Sequence, residues 1–119
     1  MPVRRALLFA CLALLGAPRA EAVPPFTLEP VDTGTPFVGL YTSIALDGSQ
    51  NVHVAYYDDS LQALRYASRT TGSWETLTVP ETAAIGVTPT TIAIDSVGVQ
   101  RIGYVGGGAG SMRFKEVSD

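Results

Sequence analysis

The chain has 119 residues, of which 46% are hydrophobic and 16% are charged, with a formal net charge of −3 and a single cysteine. This length fits one small domain or part of a larger one. The acidic balance excludes the broad basic surface that binds nucleic acid or an anionic membrane, so neither is expected as a partner.

The first predicted element is a secretory signal peptide over residues 1–22. An arginine pair begins it, residues 6–16 form an apolar stretch too short to span a bilayer, and the tripeptide AEA that ends at Ala22 fits the small-x-small cleavage pattern. We therefore expect cleavage after Ala22 and a secreted, periplasmic or cell-surface location. The arginine pair leaves twin-arginine export open, although general secretion is the favoured route.

The mature chain would then be residues 23–119. Cleavage removes three arginines, one glutamate and Cys11, which leaves five basic and ten acidic residues, a net charge of −5 and no cysteine. A disulfide, a zinc–thiolate site and a cysteine nucleophile are thereby excluded. No second long apolar segment follows, so no membrane span is expected in the mature chain. Such a domain must be stabilised by its core or by assembly.

Residues 23–119 resemble themselves at a period of 48 positions. When residues 23–71 are placed over residues 71–119 without a gap, seven positions are identical, and further similar pairs are apolar. The identical pairs are Val31/Val79, Thr42/Thr90, Ile44/Ile92, Ala45/Ala93, Asp47/Asp95, Tyr56/Tyr104 and Arg65/Arg113. Self-similarity at a period of about 20–50 residues is typical of repeat architectures.

Alternating side chains predict strands in both copies. In chain order these are an N-terminal strand at 26–31, strands at 42–47, 52–58, 63–69 and 74–79, and strands at 90–95, 100–105 and 111–117. The N-terminal strand copies the strand at 74–79, which the second copy lacks after Val117. Its Pro30 has no amide hydrogen, which suits an edge strand. The predicted fold is all-β, with two four-stranded antiparallel blades at about 38–79 and 86–119.

The first copy resembles the blade repeat of secreted bacterial β-propeller proteins, with the pattern S-[IL]-A-[LI]-D-x-x-G-x-x-H-[VI]-x-Y-x-D, then L-x-Y-A, then W-x-x-x-x-V. The matching residues are Ser43, Ile44, Ala45, Leu46, Asp47, His53, Val54, Tyr56, Asp58, Leu64, Tyr66, Ala67, Trp74 and Val79. Gln50 replaces the turn glycine that Gly98 supplies in the second copy, where Arg101 replaces the histidine and Gly106 the second aspartate. The resemblance covers the mature chain and implies a propeller architecture, which many activities share.

Two blades make an incomplete propeller, because closed propellers typically have about four to eight. Each terminal blade would leave an apolar face open. The chain would therefore self-associate into a ring, for instance as a trimer, or be a fragment of a longer propeller, or, least favoured, fold as an open pair. The expected function is that of a secreted, non-enzymatic module for binding or scaffolding, with an extracellular glycan or protein as partner. The alternatives are a glycan-binding, lectin-like module and an inactive fragment of a propeller glycosidase or lyase.

Four residues are candidates for ligand binding, namely Tyr57, Tyr41, Trp74 and His53. Tyr57 and Tyr41 have no aromatic counterpart in the other copy, which leaves their rings freer to bind a ligand such as a sugar. Trp74 has Phe26 as its counterpart, so packing between blades competes with binding there. His53 is the only histidine, and Arg101 as its counterpart favours a structural or rim role over acid–base catalysis.

No catalytic residue, cofactor or metal site is predicted. The segment from Asp47 to Asp58 has a spacing like that of a calcium loop, but Val52 occupies the glycine position and begins a strand. A polar hairpin turn is predicted there instead. Asp58 and Asp59 are predicted to lie in a solvated turn. The glycine-rich residues 106–110 lack the Lys-Ser/Thr of a phosphate loop and are predicted to form a flexible turn between strands.

Overall fold

The computed structural model describes residues 24–82, 85–106 and 110–117. Within these ranges the chain is all-β, which confirms the predicted fold class, and it contains no helix. The strands are β1 (Val38–Leu46), β2 (Val52–Asp58), β3 (Ala63–Arg69), β4 (Glu75–Thr78), β5 (Thr90–Ile94), β6 (Gln100–Gly106) and β7 (Ser111–Val117). The predicted signal peptide and the centre of the glycine-rich turn lie outside the described residues.

The strands form two antiparallel sheets, in each of which neighbours in sequence are neighbours in space. Sheet 1 has the order β1-β2-β3-β4, and sheet 2 has the order β5-β6-β7. Their registers correspond at an offset of 48 positions: Tyr56 lies opposite Arg65 in sheet 1, and Tyr104 lies opposite Arg113 in sheet 2. Sheet 2 has three strands in the described residues, so the prediction of four strands in each blade is wrong for the second.

Hairpin turns of the same design join the first two strands of each sheet. The Asp47 carboxylate accepts hydrogen bonds from the backbone amides of Ser49 and Asn51 at 2.8 and 2.9 Å. The Asp95 carboxylate accepts the equivalent bonds from Val97 and Val99 at 3.0 and 2.9 Å. Such aspartate turns are a common way to reverse a strand, and they agree with the predicted polar turn.

The same turn requires a left-handed backbone at its fourth position. Gly98 adopts this conformation with φ 89°, and Gln50 adopts it with φ 65°. A side chain is costly there and glycine is not, which explains why the glycine of the pattern stands at this position. The first copy therefore forms the same turn with a glutamine at this position.

We call the face of each sheet that carries Val54 and Tyr56, or Ile102 and Tyr104, its front face, and the opposite side its back face. The back face of sheet 1 packs on the front face of sheet 2 and forms the larger core. Its buried members are Ala55, Tyr57, Leu64, Tyr66, Val79, Ile92, Ile102, Tyr104 and Val117. This burial is the main favourable contribution to the stability of the pair of sheets.

Polar contacts also join the two sheets along their first strands. The Thr90 hydroxyl donates to the backbone carbonyl of Tyr41, and the Ile92 amide donates to Ser43 Oγ at 3.1 Å. Each bond satisfies a backbone group of one strand with a side chain of the other. The two bonds therefore fix the position of β5 relative to β1.

The N-terminal segment, which we define as residues 24–37, lies on the front face of sheet 1. Val31 packs there against a second apolar cluster with Val54, Tyr56 and Ala67 as its buried members. The predicted strand at 26–31 is wrong, because the segment has no regular secondary structure and Phe26 and Leu28 are 92% and 94% exposed. The reason is that a strand needs a pairing partner. Its copy, β4, pairs with β3, whereas no strand in the described residues precedes the N-terminal segment.

Strand β1 begins earlier than predicted, at Val38 instead of position 42. Its pairing with β2 shifts register twice, between Val38 and Leu40 and between Leu40 and Ser43. Tyr41 lies within the second of these irregularities. Tyr41 has φ 51°, a left-handed conformation that is uncommon for an aromatic residue. Bulges of this kind break the two-residue alternation, which is why the pattern predicts only the regular part of β1.

Candidate functional site

The four residues predicted to bind a ligand do not form one site. His53 and Tyr57 lie near opposite ends of β2, opposite Ala45 and Leu40 of β1, with their side chains on the back face of sheet 1. Trp74 packs on the front face of the same sheet. Tyr41 lies in the irregular part of β1 and is 51% exposed.

Tyr57 is fully buried in the core between the sheets, with 0% of its surface exposed. Its hydroxyl has no hydrogen-bond partner among the described residues. Burial, followed by the nearby charges of Asp59 and Asp58, raises the pKa of this hydroxyl. The structure therefore places Tyr57 in the packed core, away from any surface where a ligand would meet it.

Trp74 holds the N-terminal segment. Its indole Nε1 donates to Glu29 Oε1 at 2.6 Å, and the Arg69 guanidinium lies 6.0 Å from the centre of its ring. Arg69 also forms an ion pair with Glu29 at 2.5 Å. A sugar that stacked on this ring would have to displace these contacts, so the observed role of Trp74 is to fasten Glu29.

His53 is buried in a short hydrogen-bonded chain. Its Nε2 lies 3.3 Å from Asp47 Oδ2, and its Nδ1 lies 2.5 Å from the hydroxyl of Tyr66. The hydrogen bonds from the Asn51 side chain and backbone, with a further one from His53, lower the pKa of Asp47 to about 2. The imidazole thus links the β1–β2 turn to β3.

The equivalent position in sheet 2 has the same structural role with different chemistry. Arg101 donates to Asp95 Oδ2 at 2.6 Å and to Glu116 Oε1 at 3.0 Å, and so links the β5–β6 turn to β7. An imidazole and a guanidinium are interchangeable as such a link but not as an acid–base catalyst. The comparison favours the structural role that the sequence predicts for His53.

A cluster that the sequence did not reveal consists of Asp32, Tyr56 and Arg65. Asp32 Oδ2 accepts hydrogen bonds from the Tyr56 hydroxyl at 2.6 Å and from Arg65 Nη2 at 2.8 Å. Only 7% of the Asp32 side chain and 13% of the Arg65 side chain are exposed. Tyr56 and Arg65 are opposite one another in register, and both residue types recur 48 positions later, which is the only sequence signal that could have drawn attention to them.

The electrostatics of this cluster favour an ionised carboxylate. Burial opposes the charge of Asp32, but the hydrogen bonds from Tyr56 and Gly34 and the charge of Arg65 outweigh it and lower the pKa of Asp32. Burial and the bond to Asp32 in turn raise the pKa of Tyr56. The result is a stable ion pair that holds residues 31–34 against sheet 1.

A cavity of about 170 Å³ lies beside this cluster, between the N-terminal segment and β1. Asp32, Gly39, Thr42 and Tyr56 are among the residues that line it. Binding sites for small molecules usually have volumes of about 300–1,000 Å³. The cavity is therefore too small for such a ligand, and it marks the place where an irregular segment covers a sheet face incompletely.

Asp58 also fastens the N-terminal segment. It accepts a hydrogen bond from the Thr35 hydroxyl at 2.7 Å and from the Leu61 amide at 3.0 Å, and it is fully buried. Its neighbour Asp59 is exposed. The two carboxylates therefore differ in environment, and only Asp59 lies in the solvated turn that the sequence predicts.

Two sheet faces carry exposed apolar side chains. On the back face of sheet 2, Met112 is 80% exposed and Phe114 is 68% exposed. On the front face of sheet 1, Ile44 of β1 is 66% exposed, outside the area that the N-terminal segment covers. Exposed apolar side chains that lie together on a sheet face can mark a place of contact with other proteins.

Comparison with known proteins gives no match to a family model, to a curated protein or to a solved structure. In the part of the chain that the structure describes, no three histidine, aspartate or glutamate side chains converge as they would around a metal ion. The described residues also include no helix that is long and apolar enough to cross a membrane.

Proposed function

We propose that this chain is a secreted, non-enzymatic module of the propeller type that serves in binding or scaffolding and works within a larger ring of sheets. The observation that carries the proposal is the way in which the two sheets pack. The contact is head to tail, because the back face of sheet 1 packs on the front face of sheet 2. One end of the pair therefore presents the front face of sheet 1, and the other end presents the back face of sheet 2.

The repeat makes this complementarity specific. The back face of sheet 1 buries Ala55, Tyr57, Leu64 and Tyr66, and the residues 48 positions later are Gly103, Val105, Met112 and Phe114 on the open back face of sheet 2. The front face of sheet 2 buries Ile92, Ile102 and Tyr104, whose earlier copies are Ile44, Val54 and Tyr56 on the front face of sheet 1. A further copy of the same contact would therefore cover both ends.

A contact that joins different faces is heterologous, and heterologous contacts close into rings when the rotation between units permits. Burial of apolar surface contributes about 25 cal/mol per Å². A sheet face of a few hundred Å² then contributes several kcal/mol, which is comparable with the whole stability of a small domain. The mature chain has no cysteine for a disulfide that would compensate for open faces.

The polar groups described above support a non-enzymatic role, because each of them has partners within the fold. Asp32 and Asp58 fasten the N-terminal segment, and Asp47 and Asp95 close hairpin turns. His53 lies between Asp47 and Tyr66, with only 2% of its surface exposed. Acid–base chemistry needs a titratable group within reach of a substrate, and these groups instead bond to the protein.

Disulfide cross-linking tests the proposed assembly. The full chain is expressed with its leader in a Cys11→Ser background, so that only introduced thiols are present. The Ile92 amide bonds Ser43 within the chain, and the same contact between copies would bring Thr91 of one chain beside Ile44 of the next. Thr91→Cys with Ile44→Cys should therefore give dimers and larger covalent species after oxidation with oxidised glutathione.

The matched control is Ser43→Cys with Ile92→Cys, which should form a disulfide within one chain. Formation of the control disulfide without any species from Thr91→Cys and Ile44→Cys, up to concentrations of about 100 µM, would contradict the head-to-tail assembly. A ladder of covalent species that ends at one size would support a closed ring.

A further inference from the structure

We propose that residues 26–31 of one copy of this chain add to the free edge of β7 in a second copy and complete its sheet as a fourth strand. The inference rests on the proposed function, since it requires the two copies to pack head to tail.

One edge of β7 has no strand beside it among residues 24–82, 85–106 and 110–117. In sheet 1 the corresponding strand, β3, is covered by β4, with Ala67 opposite Thr76 and Arg65 opposite Thr78. In sheet 2, β7 pairs with β6 alone within the described residues. Open edges with unpaired backbone groups are ready places for a further strand to add.

The repeat supplies the register. Residues 48 positions before Thr76 and Thr78 are Leu28 and Pro30, and residues 48 positions after Ala67 and Arg65 are Lys115 and Arg113. Leu28 would therefore lie opposite Lys115, and Pro30 opposite Arg113. The Val79 amide donates to the Leu64 carbonyl at 2.9 Å, and its copy would be a bond from the Val31 amide to the Met112 carbonyl.

Pro30 fits this register. The bond between Val79 and Leu64 joins directly opposed residues, so their pair is a hydrogen-bonded one and the next pair, Thr78 with Arg65, is not. The Thr78 amide consequently points away from β3. Pro30 copies Thr78, so its missing amide hydrogen falls on the outer side, where it removes no bond and protects the new edge from further strands.

The N-terminal segment lies on the face of sheet 1 on which the second copy would pack. Val31 and Asp32 are fixed on the front face of sheet 1, which is the face that a preceding sheet would cover. Val79, the copy of Val31, lies buried in the contact between sheets 1 and 2. Residues 24–28 extend beyond these contacts and are exposed, with the apolar side chains of Phe26 and Leu28 in solvent.

The chain's own β7 is the wrong partner, because the N-terminal segment and sheet 2 lie on opposite faces of sheet 1. Packed sheets are separated by about 10 Å, so the segment would have to pass around sheet 1 before it reached β7. Residues 26–31 span at most about 20 Å when extended, and pairing itself uses that length. A second copy that packs its back face on the front face of sheet 1 brings its own β7 to the segment directly.

Two single-cysteine variants, mixed before oxidation, test the pairing. Both are made in the full chain with Cys11→Ser, one carrying Leu28→Cys and the other Lys115→Cys. A non-hydrogen-bonded pair brings the Cβ atoms close enough for a disulfide. We expect a heterodimer, resolved from the homodimers by a size tag on one variant, at least tenfold above the level from Thr27→Cys mixed with Lys115→Cys.

Thr27→Cys is the matched control because its side chain would point to the opposite face of the new strand. A double variant, Ala67→Cys with Thr76→Cys, checks that the oxidation conditions trap this geometry, since those residues are opposed within sheet 1. Equal yields from Leu28→Cys and Thr27→Cys, or no heterodimer while the double variant cross-links, would overturn the strand addition. Cross-linking of Thr91→Cys with Ile44→Cys in the same preparations would then still support the proposed function.

Discussion

Tyr56 and Tyr57 are adjacent in β2, yet their hydroxyls have opposite energetic roles. The Tyr56 hydroxyl donates to the buried carboxylate of Asp32, whereas the Tyr57 hydroxyl has no partner among the described residues. A hydrogen bond to a charged group contributes about 1.5–3 kcal/mol, and a buried polar group without a partner costs about 1–3 kcal/mol. Replacement by phenylalanine should therefore affect the two positions in opposite directions.

We expect Tyr56→Phe to lower the free energy of unfolding by about 1.5–3 kcal/mol and Tyr57→Phe to leave it unchanged or raise it. Thermal and urea unfolding, followed by circular dichroism, measures both. Each variant is the control for the other, because both remove one hydroxyl from the same strand. Equal destabilisation by the two substitutions would show that Tyr57 bonds to something in the folded state.

Asp47 should make the stability of the folded chain depend on pH in the acidic range. Its pKa is lowered to about 2 in the folded chain, below an unfolded value of about 3.9. A carboxylate with a lowered pKa contributes stability above the unfolded value, and this contribution is lost as the pH falls through the folded value. The melting temperature should therefore decrease as the pH falls from about 5 to 2, with a smaller decrease in Asp47→Asn than in the unmodified chain.

Melting curves at pH 5, 4, 3 and 2 test this, with Asp59→Asn as the control, because Asp59 is exposed. A pH dependence that is the same in Asp47→Asn as in the unmodified chain would contradict the role of the turn.

The sequence predicts this turn because its chemistry is local. It did not predict the burial of Tyr57, which depends on the packing of sheet 2 against sheet 1.

The N-terminal segment and β4 are copies of one another in sequence but not in structure. β4 is a strand because β3 is beside it, and the segment is irregular because the described chain offers it no such neighbour. Local alternation predicts that a stretch is able to pair, whereas pairing itself is a property of two stretches. This explains why seven predicted strands lie close to their predicted positions and the eighth is absent.

Glu29 is a charged residue at a position where β4 has a leucine. Its copy is Leu77, which packs against the core on the back face of sheet 1. We expect Glu29→Leu to strengthen association between copies by about tenfold, because a leucine would lie beside Phe114 and burial of apolar surface favours the pairing. Sedimentation equilibrium measures the association constant.

Glu29→Gln is the control, since it removes the charge that bonds Arg69 and Trp74 without adding apolar surface. Equal association of the two variants would mean that release from Arg69, and not burial beside Phe114, governs the change. Weaker association of Glu29→Leu than of the unmodified chain would contradict the proposed register.

At the scale of the whole molecule, the proposed assembly predicts that stability depends on protein concentration. An assembly that binds the folded state stabilises it by mass action. We expect the melting temperature to rise as the concentration increases from about 1 to 100 µM. Deletion of residues 24–33 should remove this dependence, because it removes both the added strand and the contacts of Asp32.

The deletion variant is compared with the unmodified chain by sedimentation velocity and by thermal unfolding at both concentrations. A cooperatively unfolding monomer whose melting temperature is the same at both concentrations would show that the open faces are tolerated in water. A deletion variant that still assembles would place the association at the sheet faces alone.

The strands of this chain are easier to predict from the sequence than its binding residues. The sequence predicts the strands and the apolar faces, because both follow from alternation along the chain. It proposes aromatic residues for binding by their chemistry alone, and the structure uses Trp74 to hold Glu29 and Tyr57 to fill the core. A binding surface built between copies depends on their arrangement, which no pattern within one copy specifies.

The head-to-tail contact between the sheets has a consequence for how such a gene lengthens. Because the back face of one sheet accepts the front face of the next, an in-frame duplication of 48 codons would add a sheet that meets both neighbours through surfaces already present. Substitutions at the junctions would be confined to positions where the two copies differ, such as Tyr57 and Val105. In the proposed ring, the diameter would then follow from the number of copies of the repeat.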